Sequence, residues 1–536
     1  MGRRLPAAFR IFILTTLPLL GGLFAGCIHQ PQMLPLSRQR VIDRAVVEYP
    51  SGFVLKLLVT GLNCPSALAI DDDGNILIAE SGADGSEPHI FGYHPDGTYF
   101  NIYPYKRNVS FYPTGPVLYG PIGGMAVSGR TIFVSHRDRQ GKGVITALGY
   151  EGEQSTVIAG LPAQGDYGVT DLAISPTNGR LYFGVGTATN SGVVGVDNWD
   201  EGWLKRYPDL HDELYSLPPG STEIVYKLNG YRFDSPNPRA GLFGGADIAR
   251  TGPFQSFTVS NQTRIYGTTK PNGAIYSIPT DGGEWRVEAF GIHNPRGLAF
   301  NKFNLYMTND GMQLRGTRPV MWDPDSLLQV QTDVFYGWPD YTTDGHSVSE
   351  PDYQPPAALM LPSGYPDLSF LIDHETSQLH AFGGKPELFL AGRFPTLSGA
   401  SKFAFAPDTG PFRNYADNAI VTLEGDQAPF ATSNYKDFHG PVGHRIVRVD
   451  MDTKQVRDFI RNTAGVPASM QKFGTLALER PIDVKFRPDH NALYILDFGE
   501  EENKTGIPRY YNGTGSLFIL VPENKPGATR GSTDEK

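Results

Sequence analysis

The sequence predicts an all-β protein, a six-bladed β-propeller, and three observations lead to this fold. The 536 residues include 62 Gly and 43 Pro, a content of turn formers that disfavours long helices. Only 19% of the residues are charged and 40% are hydrophobic, which is typical of a globular chain and not of a disordered one or a coiled coil. One pattern of two short apolar runs also recurs six times along the chain.

Each repeat consists of an apolar run, a turn rich in Gly, Asp and Asn, and a second apolar run. This pattern predicts a β-hairpin. A single hairpin cannot bury both of its faces, so a radial array of such units is expected, and six copies predict six blades. The paired runs are 66–70 with 75–79, 124–127 with 131–135, 171–174 with 180–184, 297–300 with 304–308, 402–405 with 418–422, and 483–486 with 492–496.

The spacing of the repeats predicts loop insertions. The longest gap, 185–295, indicates an insertion in the third blade, and it contains Trp199, Trp203 and Tyr207. A second loosely patterned stretch covers 343–385. Long loops of this kind either form lids and binding loops or pack as decoration on the outer edge of a blade.

The N-terminus has the pattern of an export signal. Arg3, Arg4 and Arg10 precede an apolar run over 11–24, which is too short to span a bilayer comfortably but has the length of a signal-peptide core. We therefore interpret residues 1–26 as a signal peptide.

Small residues precede Cys27, as in a bacterial lipobox, and predict lipidation of this cysteine. The expected product is an exported lipoprotein, anchored to a membrane and facing the periplasm or the extracellular side. The alternative is an ordinary cleaved signal peptide with an incidental cysteine. Residues 27–50 are then expected to be a tether, 51–522 the propeller and 523–536 a disordered tail.

Charge and cysteine content exclude several classes of partner. The formal net charge of −10 argues against nucleic-acid binding, which depends on surplus Lys and Arg. The two cysteines, Cys27 and Cys64, are too few for a disulfide framework, a cysteine-rich zinc site or a covalently attached haem.

The hairpins also predict where a site would lie. In an antiparallel pair, the start of the first strand and the end of the second strand lie at the same end. If the first strands line a central channel, polar residues at these positions form a ring around one opening; the alternative is that they only cap strands and bond loop amides. The strand starts contribute Gly123, Thr170, His293, Asn294, Lys402 and Arg480, and the strand ends contribute Glu80, His136, Thr187, Asn309, Glu424 and Asp497.

Several segments together carry a family resemblance. They are Gly291–Phe300, Arg315–Pro319, Asp323–Asp325, Tyr336–Tyr341 and Arg480–Val484. With these segments the chain resembles the soluble quinoprotein glucose/sorbosone dehydrogenases over most of 50–522. The resemblance implies a six-bladed propeller that uses pyrroloquinoline quinone (PQQ), commonly with calcium, to oxidise a sugar and pass electrons to an external acceptor.

The resemblance also implies roles for individual residues. Asn294 and Arg480 match positions that contact the cofactor, and Lys402 and Trp338 are further candidates for cofactor binding. Oxygen ligands for calcium are expected among three residues of the fourth repeat. These are Asn309, Asp310 and Asp325.

The chain departs from the family at positions that matter for catalysis. Tyr167 stands where the family has its general-base histidine, and Thr187 stands where a carboxylate orients that base. His293 replaces an arginine, and Glu424 replaces a lysine. Tyr167 would be a poor base without a cationic neighbour, because a free tyrosine has a pKa of about 10, so His293 and His136 become the other candidates. Glu424 would repel a tricarboxylate.

Three functional hypotheses therefore remain. The first is a quinoprotein dehydrogenase that oxidises a sugar, a related polyol or an aldehyde. The second is a non-catalytic propeller whose opening binds a carbohydrate or a protein, and the loss of the family histidine favours it. The third is a calcium-dependent hydrolase of the lactonase type, which would hold its metal with Asn, Asp and Glu side chains.

Overall fold

The computed structural model describes residues 31, 33–35, 39–105, 115–217, 223–237, 239–240, 247–258, 262–356, 367–378, 385–426, 441–471, 476–502 and 508–523. The predicted signal peptide, Cys27 and the tail from 524 lie outside the described residues. Contacts divide the chain into two units, 1–31 and 32–536, and the strands described below all belong to the second unit. Within the described ranges, no helix is long and apolar enough to cross a membrane.

Six sheets confirm the predicted six-bladed propeller, and the chain forms them in order. The first three strands, β1 (Arg40–Val41), β2 (Val47–Glu48) and β3 (Phe53–Leu62), join the last two blades. Blade 1 contains β4 (Pro65–Ile70), β5 (Ile76–Glu80), β6 (His89–Tyr93) and β7 (Tyr99–Tyr103). Blade 2 contains β8 (Tyr119–Ser128), β9 (Thr131–Arg137), β10 (Gly143–Gly149) and β11 (Gln154–Leu161).

Blade 3 carries the predicted insertion. Its sheet contains β12 (Val169–Ile174), β13 (Leu181–Val185), β18 (Ala274–Ile278) and β19 (Arg286–Phe290), with β23 (Val334–Phe335) added in parallel at the edge. Between β13 and β18 lie α1 (Val196–Asp200), α2 (Trp203–Arg206), β14 (Val225–Lys227), β15 (Phe233–Pro236), β16 (Ile248–Thr251) and β17 (Arg264–Tyr266).

The remaining blades follow the same plan. Blade 4 contains β20 (Asn294–Asn301), β21 (Asn304–Asp310), β22 (Asp325–Gln329) and β24 (Leu390–Phe394). Blade 5 contains β25 (Ala400–Phe405), β26 (Ala419–Leu423), β27 (Arg445–Val449) and β28 (Val456–Asn462), with β2 outside them. Blade 6 contains β29 (Pro481–Phe486), β30 (Leu493–Asp497), β33 (Gly515–Pro522), β3 and β1, and a small ribbon of β31 (Glu501–Glu502) and β32 (Arg509–Tyr510) precedes β33. Short 3-10 turns cover Pro351–Tyr353, Gly410–Tyr415 and Ala468–Met470.

The innermost strands close a ring around the channel. Contacts run from β4 to β8, β12, β20, β25 and β29 in turn, and β29 returns to β4. Each predicted hairpin forms the two innermost strands of its blade, so the sequence repeat is the repeat of the fold.

Closure of the ring uses strands that are distant in sequence. The early strand β3 pairs antiparallel with β33, so that Leu62 lies opposite Gly515. The neighbouring β1 pairs with β3, and β2 pairs with β28. Part of the segment expected to be a tether, from Arg40 to Glu48, is therefore paired in sheets.

All six inner strands share a bulge near their start. The antiparallel register shifts between Pro65 and Ala67 in blade 1, and between Pro295 and Gly297 in blade 4. The other four blades shift at the same place along the strand. A bulge interrupts the ladder and redirects side chains, and here it does so at one end of the channel.

Apolar layers between the sheets hold the blades together. In blade 3, Phe183 is fully buried and stacks on Tyr276 with ring centroids 5.1 Å apart. The same cluster includes Phe254 and Leu371, which anchors the insertion to the blade. Truncating an aromatic residue in such a core costs about 3–5 kcal/mol, so these layers fix the position of the inner strands.

Candidate functional site

The starts of the inner strands and the ends of the second strands meet at one end of the channel, as the hairpins predict. Asn294 lies opposite Asp310, Pro481 opposite Asp497, and Pro65 opposite Glu80. We call this end the mouth. The mouth is defined here by Tyr167, His293, Asn294, Arg296, Asp310, Arg315, Glu424, Arg480 and Glu501.

Three neighbouring side chains in blade 4 form the centre of the candidate site. Asn294 Nδ2 donates a hydrogen bond to Asp310 Oδ2 at 2.8 Å, and His293 Nδ1 donates to the Asp310 backbone oxygen at 2.8 Å. All three residues are buried. Three of their polar atoms, His293 Nε2, Asn294 Oδ1 and Asp310 Oδ1, have no hydrogen-bond partner among the described residues. Buried polar atoms are normally paired, so this group of orphaned atoms indicates a place for a ligand or water.

Burial determines how these groups carry protons. It lowers the pKa of His293 to about 3, so the imidazole is neutral at physiological pH. Because Nδ1 donates to a carbonyl oxygen, Nε2 keeps its lone pair and can only accept. Burial also raises the pKa of Asp310 well above its ordinary value, and the nearby Arg296 offsets only part of this effect. Asp310 is therefore the residue of this group best suited to exchange a proton.

Tyr167 lies against the same group, and its surroundings disfavour the deprotonated form that a base would need. Its ring meets the His293 ring edge-on at 4.8 Å, and Arg315 Nη2 lies 3.3 Å from its hydroxyl oxygen. Arg315 is the cationic neighbour whose presence could have lowered the tyrosine pKa. Burial and the carboxylates Asp166 and Asp310 nevertheless raise the pKa of Tyr167 above its usual value. The hydroxyl stays protonated.

Arg315 connects the insertion to the mouth. Its guanidinium lies 2.8 Å from Asp166 Oδ2 and 2.8 Å from Asp197 Oδ2, with Glu201 Oε1 at 3.5 Å. Asp197 and Glu201 belong to helix α1 and the residue that follows it. One guanidinium therefore serves three carboxylates, and α1 is fixed beside Tyr167.

The other two arginines of the mouth also face carboxylates. Arg296 forms an ion pair with Glu424 of blade 5, and its Nε lies 3.6 Å from Asp310 Oδ2. Arg480 donates from Nη1 to the backbone oxygen of Asp426 at 2.7 Å, and its Nε lies 3.9 Å from Glu501 Oε2. Glu424 was expected from the sequence to repel a bound anion, but the sequence did not reveal the arginine that neutralises it.

Several of the predicted strand-end residues form hydrogen bonds with backbone groups. Glu80 Oε1 accepts from Asn63 N at 2.8 Å, and Asn309 Oδ1 accepts from Asn294 N at 2.9 Å. Asp497 accepts from Glu479 N and Arg480 N, and Thr187 donates to the Thr189 carbonyl. At these positions the contacts agree with the alternative stated in the sequence analysis, in which polar residues cap strands and bond the loop backbone.

The predicted calcium ligands do not converge. Both oxygens of Asp325 accept hydrogen bonds, from Gly311 N, Ser398 Oγ and Ala400 N, and Asn309 Oδ1 accepts from Asn294 N. Of the predicted set only Asp310 keeps an unpartnered oxygen. In the part of the chain that the structure describes, no three His, Cys, Asp or Glu side chains are placed to hold a metal ion.

Three other predicted site residues have their own polar partners and leave no orphaned atom. His136 uses both ring nitrogens, at 2.6 Å from the Arg137 carbonyl oxygen and 2.8 Å from Thr146 Oγ1, and burial lowers its pKa to about 4. Trp338 is buried, stacks on the His293 ring with centroids 6.5 Å apart, and donates from Nε1 to the Asn190 carbonyl oxygen. Lys402 lies inside the channel, where its Nζ donates to the Ser66 carbonyl oxygen.

The channel contains a charge network that the sequence did not predict. Asp171, Lys402 and Asp483 are 1–2% exposed, and Lys485 Nζ lies 2.8 Å from Asp483 Oδ1. Burial lowers the pKa of Lys402, and Asp171 and Asp483 offset part of that effect. Two carboxylates and two ammonium groups thus lie in the channel behind the mouth.

Arg296, Arg315 and Asp166 are site residues that were not predicted from the sequence. The two arginines lie inside segments that carry the family resemblance, and Asp166 directly precedes Tyr167. The sequence feature that could have identified them is a charged residue next to the start of an inner strand, for Asp166 and Arg296, or inside a Gly-rich loop, for Arg315. Only the folded ring brings Arg315 from the loop after β21 to Asp166 in blade 3.

Comparison with known proteins gives a likeness of fold. No family model matches the chain. The search of curated proteins finds no match either. Solved structures are similar over most of their length, at low sequence identity.

One similar structure is the holo form of the PQQ domain of pyranose dehydrogenase from Coprinopsis cinerea, with 14% identity, coverage of 89% of this chain and 98% of that chain, and a TM-score of 0.49. Another is a calcium structure of an enzyme of carbohydrate-active family AA12 from Trichoderma reesei, with 15% identity, 89% and 98% coverage, and a TM-score of 0.44. A third is a putative oxidoreductase (glucose dehydrogenase) from Thermus thermophilus, with 17% identity, 88% and 100% coverage, and a TM-score of 0.39. At these identities, the likeness is one of propeller fold.

Proposed function

We propose that the mouth binds a neutral, hydroxyl-rich small molecule, a sugar or a related polyol. The observation that carries this proposal is the group of orphaned buried atoms His293 Nε2, Asn294 Oδ1 and Asp310 Oδ1. A sugar hydroxyl both donates and accepts, so it satisfies the two fixed acceptors and pairs with Asp310 in either protonation state. A site built to bond hydroxyl groups also discriminates strongly against analogues that lack them.

The charges of the mouth favour a neutral ligand over an anionic one. Arg296 already pairs with Glu424, and Arg315 pairs with Asp166 and Asp197. An incoming carboxylate would have to compete with these protein carboxylates and would also face Asp310 and Glu501. A neutral polyol needs no such exchange.

PQQ, the cofactor that the family resemblance implies, does not fit these residues. The cofactor carries three carboxylates and needs cationic donors, yet Arg296 pairs with Glu424, Arg315 pairs with Asp166 and Asp197, and Lys402 donates to the Ser66 carbonyl oxygen inside the channel. His293 stands neutral where the family has an arginine. Oxidation of a sugar with PQQ, the first hypothesis drawn from the sequence, is therefore the second candidate, favoured by the match of Asn294 and Arg480.

The lactonase-type hypothesis has less support. It requires Asn, Asp and Glu oxygens directed at a channel calcium, and Asn309, Glu80 and Asp497 instead accept hydrogen bonds from backbone amides. A protein partner at the mouth has no particular observation in its favour.

Calorimetric titration of the full chain with glucose, glucitol and gluconate tests the proposal. Glucose or glucitol should bind with 1:1 stoichiometry at the mouth, and gluconate should bind more weakly because of its charge. Asn294→Leu and Asp310→Asn should each weaken binding by about tenfold or more, since each removes a partner from a buried hydroxyl.

Asn304→Leu is the matched control, because Asn304 is an exposed residue of the same hairpin at its far end. It should leave binding unchanged. If gluconate binds more tightly than glucitol, or if the mouth variants bind like the wild type, the assignment is wrong. Reduction of an artificial dye in the presence of PQQ and glucose would instead establish the second candidate.

We also propose that the chain acts outside the cytoplasm, anchored through Cys27, as its N-terminal sequence predicts. Metabolic labelling with a radioactive fatty acid should mark the wild type and not Cys27→Ser. An unlabelled membrane fraction would contradict the anchor.

A further inference from the structure

Helix α1 is held against the start of blade 3 by a cluster of charged side chains in which carboxylates outnumber cations. The Arg315 guanidinium lies 2.8 Å from Asp166 Oδ2, 2.8 Å from Asp197 Oδ2 and 3.5 Å from Glu201 Oε1. Three carboxylates therefore face one guanidinium. When all three are ionised, the cluster carries an excess of two negative charges.

Most of this cluster is shielded from water. The side chains of Asp166 and Asp197 are 2% and 9% exposed, and Asp197 Oδ1 is buried without a hydrogen-bond partner among the described residues. Burial raises the pKa of Asp166 to about 7 and that of Asp197 to about 6, although Arg315 opposes both shifts, and it also raises the pKa of Glu201. Two of the three carboxyls thus hold protons in mildly acidic solution, which leaves one negative charge beside one guanidinium.

Neighbouring cations do not restore the balance. Arg137 donates from Nη2 to the Gly165 carbonyl oxygen at 3.4 Å, and its guanidinium lies 4.9 Å from the centroid of a Trp203 ring. Among the described residues it forms no ion pair with the three carboxylates, and neither do Lys205, which lies over Trp199, and Arg206, which lies over Trp203. On β15, which packs against α1, Asp234 pairs with Arg250.

The other titratable neighbours add to the negative charge or stay neutral. Asp212 raises the pKa of Asp166 further, and Asp310 raises the pKa of Tyr167. His293 is neutral at physiological pH, because burial lowers its pKa to about 3. The excess of carboxylates around Arg315 is therefore a property of the whole neighbourhood.

Helix α1 has few contacts that would prevent it from separating from the blade. Its five residues lie between Gly195 and Gly202, and Gly202 has a φ of +83°, which glycine adopts without strain. The apolar contacts of α1 and α2 form a small cluster apart from the main core, with four buried residues: Ala188, Val194, Leu204 and Leu210. A segment with so small an apolar cluster opens locally at a lower cost than a core strand.

The same cluster fixes Tyr167 beside the mouth. Arg315 Nη2 lies 3.3 Å from the Tyr167 hydroxyl oxygen, and the Tyr167 ring packs edge-on against His293 at 4.8 Å. The orphaned atoms of His293, Asn294 and Asp310 are buried, so a ligand reaches them only when a neighbouring group moves. Separation of α1 and Arg315 would leave Tyr167 free to move.

From these contacts we propose that α1 and Arg315 form a lid on the Tyr167 side of the mouth, which is closed in mildly acidic solution and opens when Asp166, Asp197 and Glu201 are ionised. In the open lid the carboxylates are hydrated, so the closed form holds more protons and the ratio of open to closed lid rises with pH. The rise ends above about pH 7, where Asp166 and Asp197 are ionised in the closed form as well. The motion itself needs no ligand, whereas its effect on ligand entry rests on the proposed function.

Hydrogen exchange of the full chain without ligand, followed by mass spectrometry from pH 5 to pH 8, tests the lid. The amides of Trp199, Glu201 and Tyr207 donate hydrogen bonds within the two helices and at their ends. Their exchange, corrected for the intrinsic pH dependence of amide exchange, should become at least tenfold faster from pH 5 to pH 7 and then level off. Amides of the inner strand β5 should keep their protection throughout.

Asp197→Asn with Glu201→Gln removes the two excess charges and leaves Asp166 paired with Arg315, so this variant should exchange slowly at both pH 5 and pH 7. Asp200→Asn is the matched control, since Asp200 is an exposed residue of α1, and it should behave like the wild type. The proposal is overturned if corrected exchange in the wild type is the same at pH 5 and pH 7, if the double variant exchanges fast at pH 7, or if Asp200→Asn abolishes the acceleration.

The association rate of glucose or glucitol, measured at pH 5 and pH 7, separates the lid from the function of the mouth. If neither sugar binds at either pH, the proposed function is wrong and the exchange experiment still decides on the lid. If a sugar binds, its association should be faster at pH 7 in the wild type and equal at both pH values in the double variant. An equal acceleration in both proteins would show that the lid does not control entry.

Discussion

Asp171 and Asp483 hold equivalent positions in blades 3 and 6, on opposite sides of the channel, and each bonds the next blade. Asp171 Oδ2 accepts from Leu298 N of blade 4 at 3.1 Å, and Asp483 Oδ2 accepts from Leu68 N of blade 1 at 2.9 Å. Lys402 and Lys485 supply the compensating charge in the channel. Two carboxylates thus connect neighbouring blades at two opposite joints of the ring.

Removing either carboxylate should destabilise the ring. Asp171→Ala or Asp483→Ala leaves a buried amide and a buried ammonium group without their partner, and the free energy of unfolding should fall by about 2–4 kcal/mol. Thermal unfolding measures the change. Asp72→Ala, at an exposed turn, should stay within about 0.5 kcal/mol of the wild type. Equal effects of all three substitutions would show that the channel carboxylates do not join the blades.

The ion pair between Arg296 and Glu424 should behave as a coupled unit. Arg296→Gln should lower the free energy of unfolding by about 2–4 kcal/mol, because it leaves the largely buried Glu424 unpaired. Glu424→Gln should cost less, because Arg296 keeps Asp310 as a partner. The double variant should lose less than the sum of the two. A double-mutant cycle by chemical denaturation measures the coupling, and additive losses would mean that the two side chains are independent.

Asp197 should make stability depend on pH. Burial raises its pKa from 3.8 to about 6, despite Arg315, so between these values the folded state holds more protons than the unfolded state. The free energy of unfolding should therefore fall as pH rises from about 4 to about 6. Asp197→Asn should remove the contribution of about one bound proton. The pH slope of the free energy of unfolding should then change by at most about 1.4 kcal/mol per pH unit. Unfolding midpoints across this range measure it, and an unchanged slope in the variant contradicts the assignment.

Binding of PQQ should require reversal of the charges of the mouth. Calorimetric titration of the wild type with PQQ and calcium should show no saturable binding, because Arg296 and Arg315 are already paired with protein carboxylates. The triple variant H293R/R296Q/E424K removes Arg296 and the Glu424 carboxylate that it pairs with and adds an arginine and a lysine, and it should bind measurably. Tight binding by the wild type would restore the quinoprotein hypothesis and would show that the paired arginines do not exclude the cofactor.

Sequence patterns predicted the six hairpins because each depends on local alternation and a local turn. They did not predict the outer partners of those hairpins, since β3 and β33 are distant in sequence and their pairing itself closes the ring. The same limit applies to the site. His293, Asn294 and Asp310 come from one hairpin and could be identified from the sequence, whereas the pairing of Arg296 with Glu424 depends on the contact between blades 4 and 5.

Burial also changed the role of two residues whose roles had been inferred from the local sequence. Lys402 was expected at the mouth, and its Nζ instead donates to the Ser66 carbonyl oxygen within the channel. Tyr167 was expected to become a base only beside a cation. Arg315 provides that cation, but burial and neighbouring carboxylates outweigh it.

The pairing of β3 with β33 has a consequence for the order of folding. Leu62 and Gly515 are about 450 residues apart, so the loop that their pairing closes is among the longest that the chain can form. The four main strands of each of blades 1 to 5 lie in one stretch of sequence, but the sixth blade needs its last strand to meet β3, and we expect this to be the slow step. Until then β30 and β3 present open edges that can pair with other chains. The risk of aggregation is therefore concentrated at a single blade and in the interval before the ring closes.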